Sequence, residues 1–248
     1  MPQNNKKFGL LGSNISYSLS KKYFTNKFSK ELFKGCVYEN FDIQSVKEFP
    51  DILKNNPDLK GLNVTIPFKE TIIPYLDTLS EKASKIGAVN VIRFTKKGNI
   101  KGYNSDWYGF MKSLEPLLQS HHRKALILGT GGAAKGVAFA LEELGIYYTY
   151  VSREATNSSI DYKKIDDTTF DDYHIIINCT PVGTNPNIAE FPPIPYEFFS
   201  NKHIAFDLIY NPEETAFLKK AKEKGAMIKN GYEMLVFQAE KAWRIWNK

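Results

Sequence analysis

The sequence predicts an α/β protein of two domains, and two features of the chain carry this prediction. Short apolar stretches with strand character alternate with stretches of helical periodicity in both halves of the chain. A glycine-rich segment, residues 129–132, stands between an apolar strand and a helix. Such alternation indicates parallel strands joined by crossover helices, and 248 residues allow two domains with a core each.

In the first half, apolar runs predict strands and amphipathic runs predict helices. The predicted strands span residues 8–11, 37–41 and 59–64, and the predicted helices span residues 21–33, 44–55 and 78–86. Residues 89–94 and 100–104 predict a hairpin around Lys96-Lys97-Gly98-Asn99.

The second half begins with a predicted helix over residues 107–119. A strand at 125–128, a helix at 133–144 with Gly145 as its C-cap and a strand at 147–151 form a complete βαβ unit. The remaining predictions are strands at 175–178 and 203–208, a helix at 213–224 closed by Gly225, and a last helix at 233–246 whose apolar stripe is ordinary core.

Composition argues against several classes of protein. The net charge is +6, but the basic residues are spread along the chain, which favours a solvated surface over a nucleic-acid partner and remains compatible with an anionic small molecule. The two cysteines, Cys36 and Cys179, form neither a disulfide framework nor metal-ligand spacing, so we expect no metal and a cytoplasmic location. We find no signal peptide and no apolar run long enough to span a membrane.

The glycine-rich segment matches the G-x-G-x-x-G/A pattern of dinucleotide-binding turns. Its predicted cofactor contacts are Gly129, Gly131, Gly132, Ala133 and Ala134, where backbone N–H groups and a helix N-terminus face the phosphates. The alternative is a purely structural glycine turn.

The end of the following strand predicts the cofactor. Ser152 and Arg153 stand where NAD enzymes place an acidic residue, and a guanidinium there suits the 2′-phosphate of NADP. The alternative is that Arg153 is only an exposed charge, and the adjacent Glu154 weakens the NADP prediction.

Six blocks of sequence occur in the order found in the shikimate dehydrogenase family, which the chain resembles from about Phe8 to Gln238. Besides the glycine turn, the blocks are residues 63–69 (NVTIPFK), 87–90 (GAVN), 104–106 (NSD), 178–183 (NCTPVG), 207–212 (DLIYNP) and 231–235 (GYEML) leading to Gln238. The resemblance implies an N-terminal α/β substrate-binding domain, a Rossmann-like NADP-binding domain and an active site in the cleft between them. The expected boundaries are 1–105, completed by the C-terminal helix 231–248, and 106–230.

The resemblance also implies the reaction, the NADPH-dependent reduction of 3-dehydroshikimate to shikimate on the route to aromatic amino acids. Lys69 and Asp106 take the catalytic positions. An ammonium beside the carbonyl can stabilise the developing oxyanion and donate a proton, while the carboxylate orients it. On their own, Lys69 is also compatible with a surface lysine and Asp106 with a helix N-cap. None of the four histidines lies in a matched block.

The other matched positions imply binding roles. The expected substrate ligands are Ser18, Ser20, Thr65, Asn90, Asn104, Tyr210 and Gln238, of which the two serines hold the carboxylate in the family. Ser20 is also compatible with a simple N-cap. Thr180, Gly231 and Met234 complete the expected cofactor contacts.

Four positions depart from the family pattern: Tyr17, Lys21, Trp107 and Asn157. They leave open the shape of the substrate site and the strictness of the NADP preference. Two rival functions also remain, an NAD-preferring quinate/shikimate dehydrogenase and a non-catalytic NADP-binding regulator. We expect small-molecule partners, with neither nucleic acid nor membrane, and a monomer or homodimer.

Overall fold

The computed structural model describes residues 6–16, 18–95 and 97–248. The chain divides into two compact units. The first comprises the chain up to Asp106 together with Gln238–Lys248, and the second comprises Trp107–Phe237. The expected boundary at 230/231 therefore differs from the observed division at 237/238. The reason is local: the backbone N–H of Gly231 donates to the carbonyl of Ile209 at 3.0 Å, which ties the start of the last helix to the second unit.

The first unit is built on a mixed six-stranded sheet with the strand order β2-β1-β3-β5-β6-β4. Strand β1 pairs in parallel with β2 and β3, whereas β5 is antiparallel to both β3 and β6. The strands are β1 Lys6–Gly12, β2 Cys36–Asp42, β3 Leu59–Val64, β4 Thr78–Leu79, β5 Val91–Phe94 and β6 Ile100–Tyr103; the helices are α1 Ser20–Lys30, α2 Phe49–Asn55 and α3 Glu81–Ile86.

The predicted hairpin is confirmed as the antiparallel pair β5 and β6; Lys96 in its turn lies outside the described residues. The predicted helix at 78–86 is wrong in its first part. Thr78 and Leu79 pair with β6, and the N–H of Ser80 still donates to the carbonyl of Gly102 at 2.8 Å. Helix α3 begins only after Ser80, whose side chain accepts from the N–H of Ala83.

The second unit is an all-parallel six-stranded sheet with the order β12-β11-β10-β7-β8-β9. The elements are α4 Asp106–Leu114, β7 Lys124–Leu128, α5 Gly132–Glu143, β8 Tyr147–Ser152, β9 Ser159–Asp161, α6 Asp167–Asp172, β10 Ile175–Asn178, β11 Ile204–Asp207, α7 Ala216–Glu223, β12 Met227–Lys229 and α8 Tyr232–Trp246. Sequence reasoning missed β9, α6 and β12, which are short. From β7, strands β8 and β9 are added on one side and β10, β11 and β12 on the other, so the strand order reverses between β7 and β10. Ligands of open α/β sheets bind at such a switch point.

Helix α8 contributes to both units. From Gln238 onward its apolar stripe enters a core of the first unit that contains Phe8 and Phe24, and its members are Ala239, Ala242, Ile245 and Trp246. The indole N–H of Trp246 donates to the carbonyl of Ile92 at 3.0 Å. Within the described residues, no helix has the length and apolarity needed to cross a bilayer.

Candidate active site

The two predicted catalytic side chains lie together in the first unit. Lys69 Nζ is 2.8 Å from Asp106 Oδ2, and the side chains are 15% and 2% exposed. Lys69 follows β3, and Asp106 is the first residue of α4 rather than the residue preceding it. A charge pair this well shielded requires further hydrogen bonds to its carboxylate.

Asn90 supplies that further hydrogen bond. Its Nδ2 lies 2.8 Å from Asp106 Oδ1, 3.1 Å from Gln238 Oε1 and 3.1 Å from Ser105 Oγ. An amide nitrogen has two hydrogens, so Asp106 takes one and the other serves Gln238 or Ser105. The Oδ1 of Asn90 accepts from the N–H of Ser105 at 2.6 Å. Lys69, Asn90, Asp106 and Gln238 therefore form one polar cluster.

Asn104 supports this cluster from the backbone side. It is 4% exposed, its Nδ2 donates to the carbonyl of Ala88 at 3.0 Å, and its Oδ1 accepts from the N–H of Asp106 at 2.9 Å. Both ends of its amide thus contact main chain, and these contacts fix the turn that leads into α4.

Ser18 and Ser20 form a pair at the start of α1. Their hydroxyl oxygens are 3.3 Å apart, and the N–H of Ser20 donates to Ser18 Oγ at 3.3 Å. The N-cap of α1 is Leu19, which makes no side-chain capping bond, and Ser20 is the first helical residue. The alternative that Ser20 is the N-cap is therefore wrong. Both hydroxyls stand beside a helix N-terminus, which suits an anion.

Tyr38 and Asn63 connect the serine pair to the cluster around Asn90, and sequence reasoning assigned neither of them. The Tyr38 hydroxyl donates to Asn63 Oδ1 at 2.8 Å, and Asn63 Nδ2 donates to the carbonyl of Asn90 at 3.3 Å. Burial raises the pKa of Tyr38 well above its usual range, against a hydrogen bond from Ser20 that lowers it. The available signal was an amide side chain at Asn63, between the buried apolar residues Leu62 and Val64 of strand β3.

Thr65 follows β3 directly. Its N–H donates to the carbonyl of Leu11 at 2.9 Å, and its methyl group would lie 2.5 Å from a Cβ at Gly12. The half-buried side chain is thereby held close to the end of β1.

The glycine turn of the second unit lies at the carboxyl end of β7. Gly129 has φ +103°, a conformation that favours glycine. Gly131 is the N-cap of α5 with φ −75°, and no atom lies within 4 Å of a Cβ built on it. Ala134 is fully buried. The turn thus presents open backbone at the N-terminus of a 12-residue helix, as a phosphate site requires.

Thr180 lies on the neighbouring strand end, after β10. Its Cγ2 would be 3.1 Å from a Cβ at Gly129, so it lies beside the glycine turn across the switch point. Asn178 holds it, because Asn178 Oδ1 accepts from both the N–H and the hydroxyl of Thr180 at 3.1 and 2.6 Å.

Comparison with known proteins shows which family the chain belongs to. Residues 10–92 match the family profile described as the shikimate dehydrogenase substrate binding domain. The chain is 39% identical over 249 residues to the NADP(+) shikimate dehydrogenase of Clostridium botulinum, covering 96% of this chain and 95% of that protein. The chain belongs to the shikimate dehydrogenase family.

Solved structures agree with this assignment. Shikimate dehydrogenase from Aquifex aeolicus has a TM-score of 0.87 at 33% identity, covering 100% of this chain and 94% of that one. Shikimate 5-dehydrogenase from Thermus thermophilus, in complex with NADP(H) and shikimate, has a TM-score of 0.85 at 31% identity, covering 97% of this chain and 93% of that one.

The end of β8 carries the residues predicted to select the cofactor. Arg153 is exposed and Ser152 is half-buried. The Ser152 hydroxyl contacts the carbonyl of Glu154 and lies 3.1 Å from Ser159 Oγ. Burial raises the pKa of Tyr162 to about 12, while the positive charge of Arg153 acts to lower it. Asn157, where a second basic residue is common in the family, is exposed.

Tyr210 lies in the loop after β11, and Gly231 lies against that loop. Tyr210 is half-buried, and Met234 is 5% exposed on the first turn of α8. A Cβ on Gly231 would lie 2.0 Å from the carbonyl oxygen of Leu208, so only glycine fits there.

Trp107, a departure from the family pattern, is 8% exposed and packs edge-on against Phe139 of α5 with ring centroids 5.6 Å apart. This packing buries the indole against α5. Lys21 is exposed, and Tyr17 lies outside the described residues.

The four histidines lie just before β7, β10 and β11. They therefore lie at the edge of the sheet opposite the glycine turn. In the described part of the chain, no group of three or more His, Cys, Asp or Glu side chains is placed to hold a metal ion.

Proposed function

We propose that this protein catalyses the reversible, NADPH-dependent reduction of 3-dehydroshikimate to shikimate in aromatic amino-acid biosynthesis. The observation that carries the proposal is the shielded contact of 2.8 Å between Lys69 Nζ and Asp106 Oδ2 inside a cluster of amide side chains. The family membership of the whole chain supports it.

Lys69 supplies the proton in the proposed reaction. NADPH supplies the hydride that goes to the ring carbonyl carbon. The ammonium of Lys69 stabilises the negative charge that develops on the carbonyl oxygen and gives it a proton, so that the ketone becomes a secondary alcohol. Asp106 holds the ammonium in place and can accept a hydrogen bond from the new hydroxyl.

The remaining polar residues of the first unit bind the substrate in this proposal. Ser18 and Ser20 hold the carboxylate beside the start of α1. Amides and hydroxyls suit ring hydroxyl groups because they can both donate and accept, and these residues are Thr65, Asn90, Asn104 and Gln238. Tyr210 is a further proposed substrate ligand.

The second unit binds the cofactor through its glycine turn. Open backbone at Gly131 and the positive φ at Gly129 fit a pyrophosphate approaching the start of α5. The proposed contacts are Gly129, Gly131, Gly132, Ala133, Ala134, Ser152, Arg153, Thr180, Gly231 and Met234. The exposed Arg153 supports NADP over NAD because a guanidinium can bind a 2′-phosphate in bidentate fashion.

The direct test is an assay of four combinations: shikimate or quinate, each with NADP+ or NAD+, followed at the nicotinamide absorbance. We expect turnover to be fastest with shikimate and NADP+. Preference for NAD+ and quinate would establish the rival dehydrogenase, and binding of NADP+ without any turnover would establish the regulator.

The Lys69→Ala variant tests the mechanism. We expect turnover to fall by roughly 10³-fold, while NADP+ affinity stays near wild type because Lys69 lies in the first unit. Lys85→Ala is the matched control, since Lys85 also pairs with a carboxylate, at 2.8 Å, but is 62% exposed on α3. Equal activity of the two variants would reject the role of Lys69.

A cytoplasmic location and a monomeric or homodimeric state complete the proposal, and both rest on the sequence prediction. Size-exclusion chromatography with light scattering measures the second.

A further inference from the structure

Asp207 is a fully buried carboxylate at the end of β11, and the proposed chemistry leaves it without a role. Its Oδ1 accepts from Asn178 Nδ2 at 3.1 Å and from the N–H of Ile209 at 3.0 Å, and its Oδ2 accepts from the Thr215 hydroxyl at 2.6 Å. One side chain thus joins the end of β10, the loop after β11 and the residue that precedes α7.

The hydrogen bond with Asn178 connects Asp207, through Thr180, to the glycine turn. Asn178 donates to Asp207 with its nitrogen and accepts from Thr180 with its oxygen. The Asp207 carboxylate therefore sets which end of the Asn178 amide faces Thr180. Thr180 in turn lies against Gly129.

The hydrogen bond with Ile209 connects Asp207, through Gly231, to the start of α8. It fixes the backbone of the loop after β11, and the carbonyl of Ile209 accepts from the N–H of Gly231 at 3.0 Å. The same loop brings the carbonyl of Leu208 against Gly231. Thr180 and Gly231, both proposed cofactor contacts, thus depend on loops that meet at Asp207.

Burial and hydrogen bonding act on the charge of Asp207 in opposite directions. Burial raises the pKa of Asp207 to about 7, whereas the three hydrogen bonds, from Thr215, Ile209 and Asn178, act to lower it. All three neighbours donate, so the ionised carboxylate is the form that fits the geometry. Burying a carboxylate costs folding free energy, and a contribution to cofactor binding would explain why one is present here.

We infer that Asp207 is a positioning residue of the dinucleotide site, which fixes the loops after β10 and β11 so that Thr180 and Gly231 can meet the cofactor. The inference rests on the proposed function, because it assigns Asp207 to the cofactor site proposed above.

The test is the NADP+ affinity of the Asp207→Asn variant, measured by isothermal titration calorimetry. The amide keeps one oxygen and presents an NH2 group to neighbours that are themselves donors. We expect NADP+ to bind about 10-fold to 100-fold more weakly, and the KM for NADP+ to rise while the KM for shikimate stays near wild type. A KM change shared by both substrates would indicate general loosening and overturn the inference.

Asp166→Asn is the matched control. The Asp166 carboxylate also accepts three hydrogen bonds, from the Thr169 N–H and the Thr168 and Thr169 hydroxyls, but all three donors belong to α6, which carries none of the proposed cofactor contacts. We expect this variant to bind NADP+ as wild type does. Weakened binding in this control as well as in Asp207→Asn would overturn the inference.

Two variants of Thr215 test the inference if Asp207→Asn does not fold. Thr215→Ser keeps the hydroxyl group that donates to Asp207, and Thr215→Val removes this group with little change of side-chain volume. We expect NADP+ to bind Thr215→Ser as it binds wild type and to bind Thr215→Val several-fold more weakly; equal affinities would overturn the inference.

Titration of the wild-type protein with NADP+ distinguishes a failure of the proposed function from a failure of the inference about Asp207. Absence of NADP+ binding to wild type would overturn the proposed function together with the inference. Normal binding to wild type with unchanged binding to Asp207→Asn would overturn the inference alone.

Discussion

At the scale of single residues, the polar cluster of the first unit is organised by Asn90. One amide reaches the carboxylate of Asp106, the side chain of Gln238 and the N–H of Ser105. A neutral side chain is essential there because Asp106 already carries the negative charge that pairs with Lys69. The sequence predicts Lys69, Asn90, Asp106 and Gln238 separately, but not that the amide of Asn90 connects them.

The Asn90→Asp variant tests this arrangement. It would place a second carboxylate within about 3 Å of Asp106, and two such groups share one proton because both cannot ionise at that distance. We expect a loss of kcat/KM and a new group titrating near neutral pH in the pH–rate profile. Asn90→Ala should lose activity without the new titration, and identical profiles for the two variants would contradict the prediction.

Gly131→Ala separates cofactor binding from folding. The backbone there has φ −75° and the space around a Cβ is open, so we expect the free energy of unfolding to change by less than about 1 kcal/mol. NADP+ affinity should fall because the methyl group would enter the space proposed for the pyrophosphate. Gly129→Ala is the contrast: at φ +103° it should cost about 1–3 kcal/mol of stability. Unchanged NADP+ affinity in Gly131→Ala would argue against the proposed phosphate position.

At the scale of elements, α8 completes the first unit by packing a tryptophan over a glycine of β3. A Cβ on Gly61 would lie 2.3 Å from the Trp246 indole, and the indole N–H is bonded to the carbonyl of Ile92. The C-terminal helix can approach the sheet this closely because β3 has no side chain at that point. The amphipathic pattern predicts the helix, but it does not identify the strand that receives it.

The Gly61→Ala variant should therefore lose about 2 kcal/mol of unfolding free energy through overpacking. In a Trp246→Phe background the smaller ring relieves part of the clash, so we expect a smaller loss there. Urea unfolding of the two single variants and the double variant measures the coupling. Additive losses would show that Gly61 and Trp246 do not interact in this way.

At the scale of the whole molecule, the two edges of the parallel sheet in the second unit carry different chemistry. The carboxyl ends of its strands hold the glycine turn, Thr180 and Asp207. The amino ends hold a cluster of rings formed by His121, His122, His174 and His203, with neighbouring centroids 4.1 to 5.4 Å apart. This cluster affects stability rather than the proposed reaction.

The histidine cluster predicts that stability falls in acid. Burial, and then the neighbouring histidines, lower the pKa values of His122 and His174. Burial also lowers the pKa of His203, against hydrogen bonds with the backbone of Phe170 and Ser200 that raise it. The positive charge of Lys202 also lowers the pKa of His174, whereas the negative charge of Asp171 acts to raise the pKa of His203. Because the folded state binds fewer protons here than the unfolded chain, the unfolding free energy should decrease as the pH falls from about 7.5 through 6.5.

The His174→Gln variant isolates this contribution. Asp207 acts with the opposite sign, since its raised pKa of about 7 favours the folded state as the pH falls, and it is present in both proteins. We expect a shallower decrease of the unfolding free energy between pH 7.5 and pH 5 in the variant. Equal slopes would mean that His174 does not take part.

Features that depend on neighbours along the chain could be predicted from the residues alone: the alternation of strands and helices, the glycine turn between β7 and α5, and the blocks that contain Lys69 and Asp106. Tertiary structure alone decided the pairing of Thr78 and Leu79 with β6, the burial of Trp107 against Phe139, the division of α8 between the units, and the polar contacts of Asn90 and Asp207. The physical reason is that periodicity and turn chemistry report local preference, whereas sheet register and buried hydrogen bonds join residues far apart in sequence, and the partner of each buried polar group is fixed only when the whole core has packed.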